Sequence, residues 1–508
     1  MARQLIINTL CCSRWTQLTL FLVTLLSHFT TTATYHSGAP HELLKGFNTA
    51  PDLSTSSFQT LLSDSVGNYS LGFLRVNQNQ LSLAVIHVPS KEPLWIANTN
   101  KLARWSDQTR IIFDGSLVIS DTHTGLFWST YTDGDRVRIS NTSNLLIEKV
   151  TGTISILWQS FQFPYNTLME NQNFTSAMKL VSSNAIYSMK LGSNFIGFYA
   201  KFNMNSSSDH DTVHGELYLK HNPLQAKARV FEGEGPIWVI LNPDGYLGMY
   251  QNGSTPVDVQ PFSTFQQPGL GNRRIRLEPD GNLIAYFWTG SSWVVDFKQI
   301  SDPCELPSTC GSYGLCQPGK GCSCLDDRKE YISGSCEIPG NRKKVAGGDF
   351  CGLFDRKYRV LRKYGVELPY KEIMAYTRKS SLAKCESACE EVCTCWGAVY
   401  SNTSGFCYTI DYPIQTLVAV EDETKMGYFK VKEGGGKKKM VVWLGVGIGL
   451  LCGVVLIFLG VMGLFWKRAA REKRRYVEEE GVARGVGSYR DLGSTKLKAL
   501  ELSQTQSS

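Results

Sequence analysis

The sequence predicts a mainly β extracellular protein that continues into one transmembrane helix, and three observations support this fold class. Between about residues 53 and 297, short apolar runs alternate with clusters of Gly, Asn, Asp and Ser. Twelve of the 15 cysteines lie between Cys304 and Cys407, whereas residues 40 to 303 contain none. A 26-residue run without a charged residue occupies positions 441–466. The length of 508 residues suits several domains.

The N-terminal segment, 1–33, is predicted to be a cleaved signal peptide. Arg3 and Arg14 precede the apolar run Leu18–Leu26, and small residues follow near Thr31–Ala33. This order is typical of a secretory signal, and the apolar run is too short to span a membrane. We therefore expect the following residues to be translocated.

The cysteine-free region that follows is predicted to be all β. Short apolar runs at regular spacing, separated by turn residues, indicate a sandwich, barrel or prism, and the length suits two such domains. Without disulfides, an apolar core must stabilise the region, and tryptophans are expected to supply large buried areas. They are Trp95, Trp105, Trp128, Trp158, Trp238, Trp288 and Trp293.

An Asp-Gly pair followed by alternating apolar residues occurs at Asp114, Asp244 and Asp280. The simpler interpretation is a tight turn between two strands. The last copy, residues 278–286 (EPDGNLIAY), also resembles the Q-x-D-x-N-x-V-x-Y sugar site of monocot mannose-binding bulb lectins. Because alternate side chains share one face of a strand, an acid, an amide and a phenol at this spacing could contact neighbouring sugar hydroxyls. The candidate carbohydrate-binding residues are Glu278, Asp280, Asn282 and Tyr286.

Three further segments extend this resemblance. Residues 93–98 (PLWIAN), 126–130 (LFWST) and 157–164 (LWQSFQFP) are similar to landmarks of the plant S-domain, the ectodomain of S-locus glycoproteins and G-type lectin receptor-like proteins. The resemblance implies tandem bulb-lectin-like β-prism domains: a bulb-type lectin domain at 40–170 and a second lectin-like S-locus glycoprotein region at 171–300. It implies a glycan or peptide ligand and no cofactor.

The first six clustered cysteines resemble an EGF-like module at 301–337. A module this short needs crosslinks because it cannot bury an adequate core, and the spacing alone leaves the connectivity open. A zinc site is the alternative, but an oxidising compartment and the absence of histidine from this segment disfavour a metal. The resemblance implies the pairs Cys304–Cys316, Cys310–Cys322 and Cys324–Cys336.

The next six cysteines resemble a PAN/apple domain at 351–431. Cys385 and Cys389 are four residues apart among helix-favouring residues, so both are expected on one helix face. Cys393 and Cys395 are expected to open an apolar strand with both thiols on one side. The resemblance implies the pairs Cys385–Cys407 and Cys389–Cys395, and leaves Cys351–Cys393 as a third pair.

The run 441–466 is predicted to be a transmembrane helix, because 26 residues at about 1.5 Å each cross a hydrocarbon core of about 30 Å. Gly445, Gly449 and Gly453 recur every four residues and so fall near one helix face. They indicate either helix dimerisation or only the usual abundance of glycine in membrane helices.

Charge and sequons agree with this topology. The formal net charge is +7, but residues 34–436 hold 37 Lys/Arg against 39 Asp/Glu, which disfavours a basic nucleic-acid-binding domain. Six basic residues follow the helix within 467–475 and three precede it, which favours a cytosolic tail at 467–508. Six N-glycosylation sequons lie on the side expected to be extracellular. They are Asn68, Asn141, Asn173, Asn205, Asn252 and Asn402.

The order of these segments is similar to the ectodomain of plant S-domain receptor kinases. A kinase needs about 250 residues with characteristic Gly-rich, H-R-D and D-F-G loops, and the 42-residue tail contains none of them. We therefore expect a plasma-membrane receptor-like glycoprotein that is not an enzyme and acts through a partner receptor kinase or as a homodimer. The alternatives are a membrane-tethered mannose-type lectin and a structural glycoprotein that links the cell wall.

Overall fold

The structure is a computed structural model that describes residues 39–97, 101–202, 215–223, 236–267, 271–332, 334–337, 350–351, 358–432 and 452–471. The chain divides into two units, Met1–Glu433 and Gly434–Ser508. The described part of the first unit is mostly β, and that of the second is one helix. The predicted mainly β fold class is therefore confirmed. The predicted signal peptide, 1–33, and Asn205 lie outside the described residues.

In the N-terminal part, the described strands form three antiparallel sheets with the orders β1-β11-β12-β13, β10-β9-β8-β2 and β3-β4-β5-β6, and β7 pairs with β5. The strands are β1 (Glu42–Leu44), β2 (Phe47–Thr49), β3 (Phe58–Ser63), β4 (Tyr69–Asn77), β5 (Gln80–His87), β6 (Glu92–Ile96), β7 (Ala103–Arg104), β8 (Thr109–Phe113), β9 (Leu117–Asp121), β10 (Leu126–Ser129), β11 (Arg136–Ile139), β12 (Leu145–Lys149) and β13 (Ser155–Gln159). Alternate residues of each sheet, such as Ile111 and Phe113 in β8, point into a shared core. We call these three sheets the first prism.

The same plan is repeated in the following strands. Here the orders are β14-β23-β24-β25, β15-β20-β21-β22 and β16-β17-β18-β19, all antiparallel. The strands are β14 (Thr167–Met169), β15 (Asn173–Thr175), β16 (Leu180–Val181), β17 (Tyr187–Leu191), β18 (Ile196–Ala200), β19 (Glu216–His221), β20 (Trp238–Asn242), β21 (Tyr246–Tyr250), β22 (Asp258–Pro261), β23 (Arg273–Leu277), β24 (Leu283–Trp288) and β25 (Trp293–Lys298). These sheets form the second prism.

The two prisms meet at an aromatic joint. The His87 ring of the first prism lies 4.6 Å from the Trp288 ring and 5.2 Å from the Trp293 ring of the second. The Trp293 indole N–H donates to Ser90 Oγ at 3.1 Å. Arg274 Nη2 lies 2.5 Å from Glu92 Oε2, so the joint combines ring packing with an ion pair.

The tryptophans do not all have the role expected of them. Trp95, Trp105 and Trp158 are buried in the core of the first prism. The other four, Trp128, Trp238, Trp288 and Trp293, are only half-buried. Two of these, Trp288 and Trp293, supply the joint between the prisms, where a large ring can leave one edge in solvent.

The cysteine-rich part joins its two modules through a common sheet. The strands are β26 (Gly314–Gln317), β27 (Gly321–Cys324), β28 (Glu330–Ile332), β29 (Ser335–Glu337), β30 (Tyr358–Tyr364), β31 (Val366–Glu367), β32 (Thr377–Arg378), β33 (Gly397–Ser401), β34 (Phe406–Ile410), β35 (Leu417–Ala419) and β36 (Lys425–Lys432), with helix α1 (Leu382–Glu390). β26 of the EGF-like module pairs in parallel with β35 of the PAN region, in the order β27-β26-β35-β31. The remaining described strands of the PAN region form the sheet β30-β36-β33-β34-β32.

Six disulfides connect this part: the five pairs that the two resemblances imply, and Cys351–Cys393, the pair that they leave over. They are Cys304–Cys316, Cys310–Cys322, Cys324–Cys336, Cys351–Cys393, Cys385–Cys407 and Cys389–Cys395. Cys385 and Cys389 lie on one buried face of α1, as their spacing predicts. The expected strand at Cys393 is wrong: Cys393 is exposed in a turn, Cys395 is buried, and β33 begins only at Gly397. Their opposite environments follow from separate disulfide partners.

The second unit contains helix α2 (Cys452–Arg471), with 20 residues, a mean hydropathy of 1.7 and no part of its apolar stretch buried within the protein. Its length and composition suffice to cross a membrane. It ends five residues beyond the predicted span, 441–466. Gly453 lies in α2, whereas Gly445 and Gly449 and the tail beyond Arg471 lie outside the described residues.

Candidate functional site

The Asp-Gly pairs at Asp114, Asp244 and Asp280 all lie in turns between paired strands. They connect β8 to β9, β20 to β21 and β23 to β24. The third turn is closed by a hydrogen bond from Gly281 N to Glu278 O at 3.0 Å, with Gly281 at a φ of 91°. Glycine adopts this left-handed conformation without a steric penalty. The simpler interpretation of the repeat therefore describes its geometry.

Asn282 does not present its amide to solvent. Its side chain points into the protein, where the residue is 4% exposed. Nδ2 donates to the Ile300 carbonyl at 2.8 Å, and Oδ1 accepts from the Ile300 N–H at 3.0 Å. Both polar ends of the amide therefore fix the chain after β25 against the start of β24.

Glu278 and Tyr286 contact each other. The Tyr286 hydroxyl donates to Glu278 Oε1 at 2.6 Å, and Arg276 Nε donates to the same oxygen at 2.7 Å. Burial, and then the neighbouring Glu278, raises the pKa of Tyr286 to about 12, so this hydroxyl keeps its proton at ordinary pH. Arg276 also pairs with Glu92 at 2.9 Å, which ties the group to the first prism.

Asp280 is the exposed member of the predicted set. Its Oδ1 accepts the Asn282 N–H at 2.9 Å within the turn. Beside it lies an open cleft with a volume of about 510 Å³, lined by Ile284, Lys298 and Ser308 among others. The four predicted residues therefore do not converge on one solvent-facing surface; we call the space next to Asp280 the Asp280 cleft.

A second cleft, the aromatic cleft, lies where the three sheets of the first prism meet. Each of the three sheets contributes one tryptophan from an edge strand: Trp95 in β6, Trp128 in β10 and Trp158 in β13. Their ring centroids lie 5.9 to 6.2 Å apart. Phe163 stacks on Trp158 with centroids 5.5 Å apart, and its carbonyl accepts the Trp95 indole N–H at 2.8 Å. The cleft has a volume of about 400 Å³, within the range of small-molecule sites.

The rim of the aromatic cleft exposes two rings and one amine. Tyr131 is 81% exposed and Phe163 is 51% exposed. Tyr131 has a φ of 52°, an uncommon conformation for a bulky residue, and its N–H donates to Ser129 Oγ at 3.1 Å. Lys179, just before β16, also lines the cleft and is half-buried. Burial, and then repulsion from Lys190 and Lys201, lowers the pKa of its amine.

Sequence reasoning found the rings but missed the cleft. Trp95, Trp128 and Trp158 belong to the three family landmarks, and they were expected to be core residues. The sequence signal that could have revealed the cleft was the presence of one tryptophan in each of the three landmarks. Only closure of three sheets brings them together, and Lys179 comes from the region assigned to the second domain.

The described sequons are accessible to different degrees. Asn141, Asn173, Asn252 and Asn402 are exposed, and Asn68 is half-buried. Asn141 Oδ1 accepts a hydrogen bond from Ser65 at 3.0 Å. Their exposure is compatible with N-glycans, which need surface positions.

Two protein-family models match the chain. D-mannose binding lectin matches residues 93–190, and the S-locus glycoprotein domain matches residues 255–329. The first match includes the rings of the aromatic cleft and Lys179. It overlaps the predicted lectin domain, 40–170, and continues into the second prism.

Curated relatives extend the match over most of the chain. PAN domain-containing protein At5g03700 of Arabidopsis thaliana is 48% identical over 91% of this chain and 92% of its own length. The G-type lectin S-receptor-like serine/threonine-protein kinase SD2-5 of Arabidopsis thaliana is 23% identical, over 72% of this chain and 42% of its own length. Putative receptor protein kinase ZmPK1 of Zea mays is 26% identical, over 73% of this chain and 46% of its own length. The chain thus spans about half the length of these kinases.

Among solved structures, a lectin from Marasmius oreades covers 27% of this chain and 94% of its own, with 14% identity and a TM-score of 0.19, too low to compare folds. The sequence relatives are decisive instead, because the 48% identity extends over nearly the whole of both chains. The protein carries lectin and S-locus glycoprotein domains and belongs to the plant PAN domain-containing, S-domain receptor-like family.

Proposed function

We propose that the protein is a plasma-membrane receptor-like glycoprotein whose extracellular part binds a glycan or peptide ligand and which acts through a partner receptor kinase. The observation that carries the proposal is the similarity of the chain to receptor-like kinases, which for one of them extends over 72% of this chain and 42% of the kinase. The relative that is matched over 92% of its own length is named for its PAN domain rather than for a kinase.

Features of both units support this function. Six disulfides in Met1–Glu433 suit an oxidising extracellular environment, and exposed sequons suit glycosylation. α2 is long and apolar enough to anchor the chain, and the basic residues after it suit a cytosolic tail at 467–508.

The partner is tested with the full-length protein. It is expressed in plant cells, captured from membranes in mild detergent, and its associated proteins are identified by mass spectrometry. We expect a receptor kinase to be enriched over capture of an unrelated single-pass glycoprotein. A capture that retains the complexes of related receptors but contains no kinase would contradict the proposal.

A tail deletion separates signalling from a purely structural role. The variant ends after Arg475, so the basic residues that follow the helix are kept. A co-receptor loses its downstream response in this variant, or blocks the response of the wild-type protein. A glycoprotein that only links the cell wall keeps its function, and that result would favour the structural alternative.

The second candidate function is a membrane-tethered mannose-type lectin. It is favoured by one observation: the exposed Asp280 borders a cleft of about 510 Å³. It is weakened because Asn282, Glu278 and Tyr286 are already hydrogen-bonded within the protein. A few contacts to neutral hydroxyls at about 1 kcal/mol each give only about millimolar affinity at one site.

A glycan array tests the lectin directly. Mannose binding that disappears in Asp280→Ala supports it, whereas an array without mannose binding rejects it. Asp244→Ala is the matched control, because Asp244 is an exposed aspartate in an equivalent Asp-Gly turn. Equal loss in both variants would indicate a general effect on the fold.

A further inference from the structure

The aromatic cleft offers flat apolar surfaces to a ligand. Trp128 is half-buried, and Phe163 and Tyr131 are largely exposed at its rim. Exposed aromatic faces suit ligands that combine apolar C–H surfaces with polar groups, as sugar rings do. Tyr131 is held in its uncommon backbone conformation at this rim, and such conformations concentrate at ligand-binding sites.

The same rings carry donors that the protein does not use. Among the described residues, the indole N–H groups of Trp128 and Trp158 have no protein acceptor, and neither nitrogen is sealed from solvent. The Trp95 N–H, by contrast, is satisfied by the Phe163 carbonyl. Two donors beside apolar faces are therefore available for hydroxyl or carboxylate oxygens.

Charge at the cleft is positive. Lys179 lines it, and the charged groups that act on Lys179 are Lys190 in β17 and Lys201 after β18. No carboxylate of the described residues pairs with the Lys179 amine. An anion should bind a half-buried amine among like charges more favourably than it binds an isolated surface lysine. The reason is that the anion relieves repulsion as well as forming an ion pair.

We propose that the aromatic cleft binds a carboxylated saccharide, with one sugar face packed on the rings of Tyr131 and Phe163 and the carboxylate held by Lys179. This inference deepens the proposed function and rests on it, since it names the chemical class of the extracellular ligand. The site differs from the Asp280 cleft in position and in charge. It combines the rings of the first prism with Lys179 from the segment between β15 and β16 of the second prism.

The test uses the full-length protein in detergent and two matched probes, oligogalacturonate and the same oligosaccharide as its methyl ester. We expect oligogalacturonate to bind more tightly, with an affinity that falls as ionic strength rises. Lys179→Gln should lower the affinity for oligogalacturonate about fivefold, as expected for the loss of one half-exposed charged contact. The affinity for the methyl ester should not change. Tyr131→Ala should weaken both probes.

The controls replace one lysine and one tyrosine at exposed positions away from the cleft. Lys320→Gln removes an exposed lysine of the β26–β27 turn, and Tyr364→Ala removes an exposed tyrosine of β30, so neither should alter binding. Three results would each overturn the inference. They are equal affinity for the acid and the ester, unchanged affinity in Lys179→Gln, and competition by polyglutamate as strong as that by the saccharide. The polyglutamate result would identify a site for acidic peptides.

Failure of this inference is distinguishable from failure of the proposed function. If the kinase co-purifies but oligogalacturonate does not bind, the saccharide assignment alone is wrong. If no kinase co-purifies and neither glycans nor peptides bind, the receptor function itself is wrong. Folding of each variant is checked by its circular dichroism spectrum and thermal unfolding midpoint, because residues 40 to 303 contain no cysteine whose thiol could report on the prisms.

Discussion

Acidification should loosen the joint between the two prisms through His87. This ring is 2% exposed and lies among Tyr69, Trp288 and Trp293. Burial, and then the nearby Arg274, lowers its pKa from 6.5 to about 4, although Glu92 opposes this shift. The folded protein therefore resists a proton that the unfolded chain accepts readily.

The sign and size of the effect follow from linkage. Well above pH 6.5 both states are neutral at His87 and the stability is at its full value. Between pH 6.5 and about 4 the unfolded state binds more protons, so stability falls with falling pH. At 1.36 kcal/mol per pKa unit, the loss is about 2 kcal/mol at pH 5 and about 3 kcal/mol at pH 4.

Hydrogen exchange measured by mass spectrometry checks this prediction locally. Peptides covering β5 and β25 should lose protection by about thirtyfold between pH 7 and pH 5 in the wild type, relative to the same peptides in His87→Phe. Intrinsic exchange rates cancel because both proteins are compared at each pH. His123→Gln, at an exposed histidine, should behave like the wild type. If His87→Phe loses protection in parallel with the wild type, carboxylates rather than His87 govern the joint and the reasoning is refuted.

Two further predictions concern the core and the helix. Asp296→Asn should lower the free energy of unfolding by about 3 kcal/mol or more, because it leaves the buried Arg273 guanidinium without its counter-ion. Asp133→Asn, at an exposed ion pair that solvent screens, should have a much smaller effect. Denaturant midpoints check this, and equal effects of the two variants would contradict it. Gly449→Leu should weaken self-association of the membrane helix in a reporter assay, because Gly445 and Gly449 share one helix face. Gly447→Leu is the control and should not weaken self-association, because Gly447 lies about 200° around the helix from Gly445. Equal behaviour of the two variants would indicate that the glycines only reflect membrane composition.

The fold was predictable where one local pattern decides the structure. Alternating strands, the cysteine clusters and the uncharged run each carry their own signal, and the pairs of Cys385 and Cys389 follow once their family is recognised. The strand expected at Cys393 failed because a disulfide to Cys351 holds that residue in an exposed turn. The local sequence around a cysteine does not show which distant cysteine it pairs with, and therefore does not show the conformation that the disulfide imposes.

The site was less predictable because sharing one strand face does not mean facing solvent. Asn282 has the spacing of a sugar ligand, but Ile300 comes from another part of the chain and satisfies both ends of its amide. The aromatic cleft depends on closure of three sheets and on Lys179 from beyond the first prism. Contacts between segments far apart in sequence decide both outcomes.

The parallel pairing of β26 with β35 has a mechanical consequence. A receptor whose modules are joined by loose linkers can relay ligand binding as a bend between neighbours. Here the Tyr313 hydroxyl also donates to the Lys430 carbonyl, and the Cys310 N–H donates to Thr416 Oγ1 at 2.8 Å. These contacts and the shared sheet join the EGF-like and PAN regions into one body, so a bend between them is not expected. Under the proposed receptor function, a ligand would act by displacing or pairing whole extracellular bodies, and antibodies that pair them should mimic it.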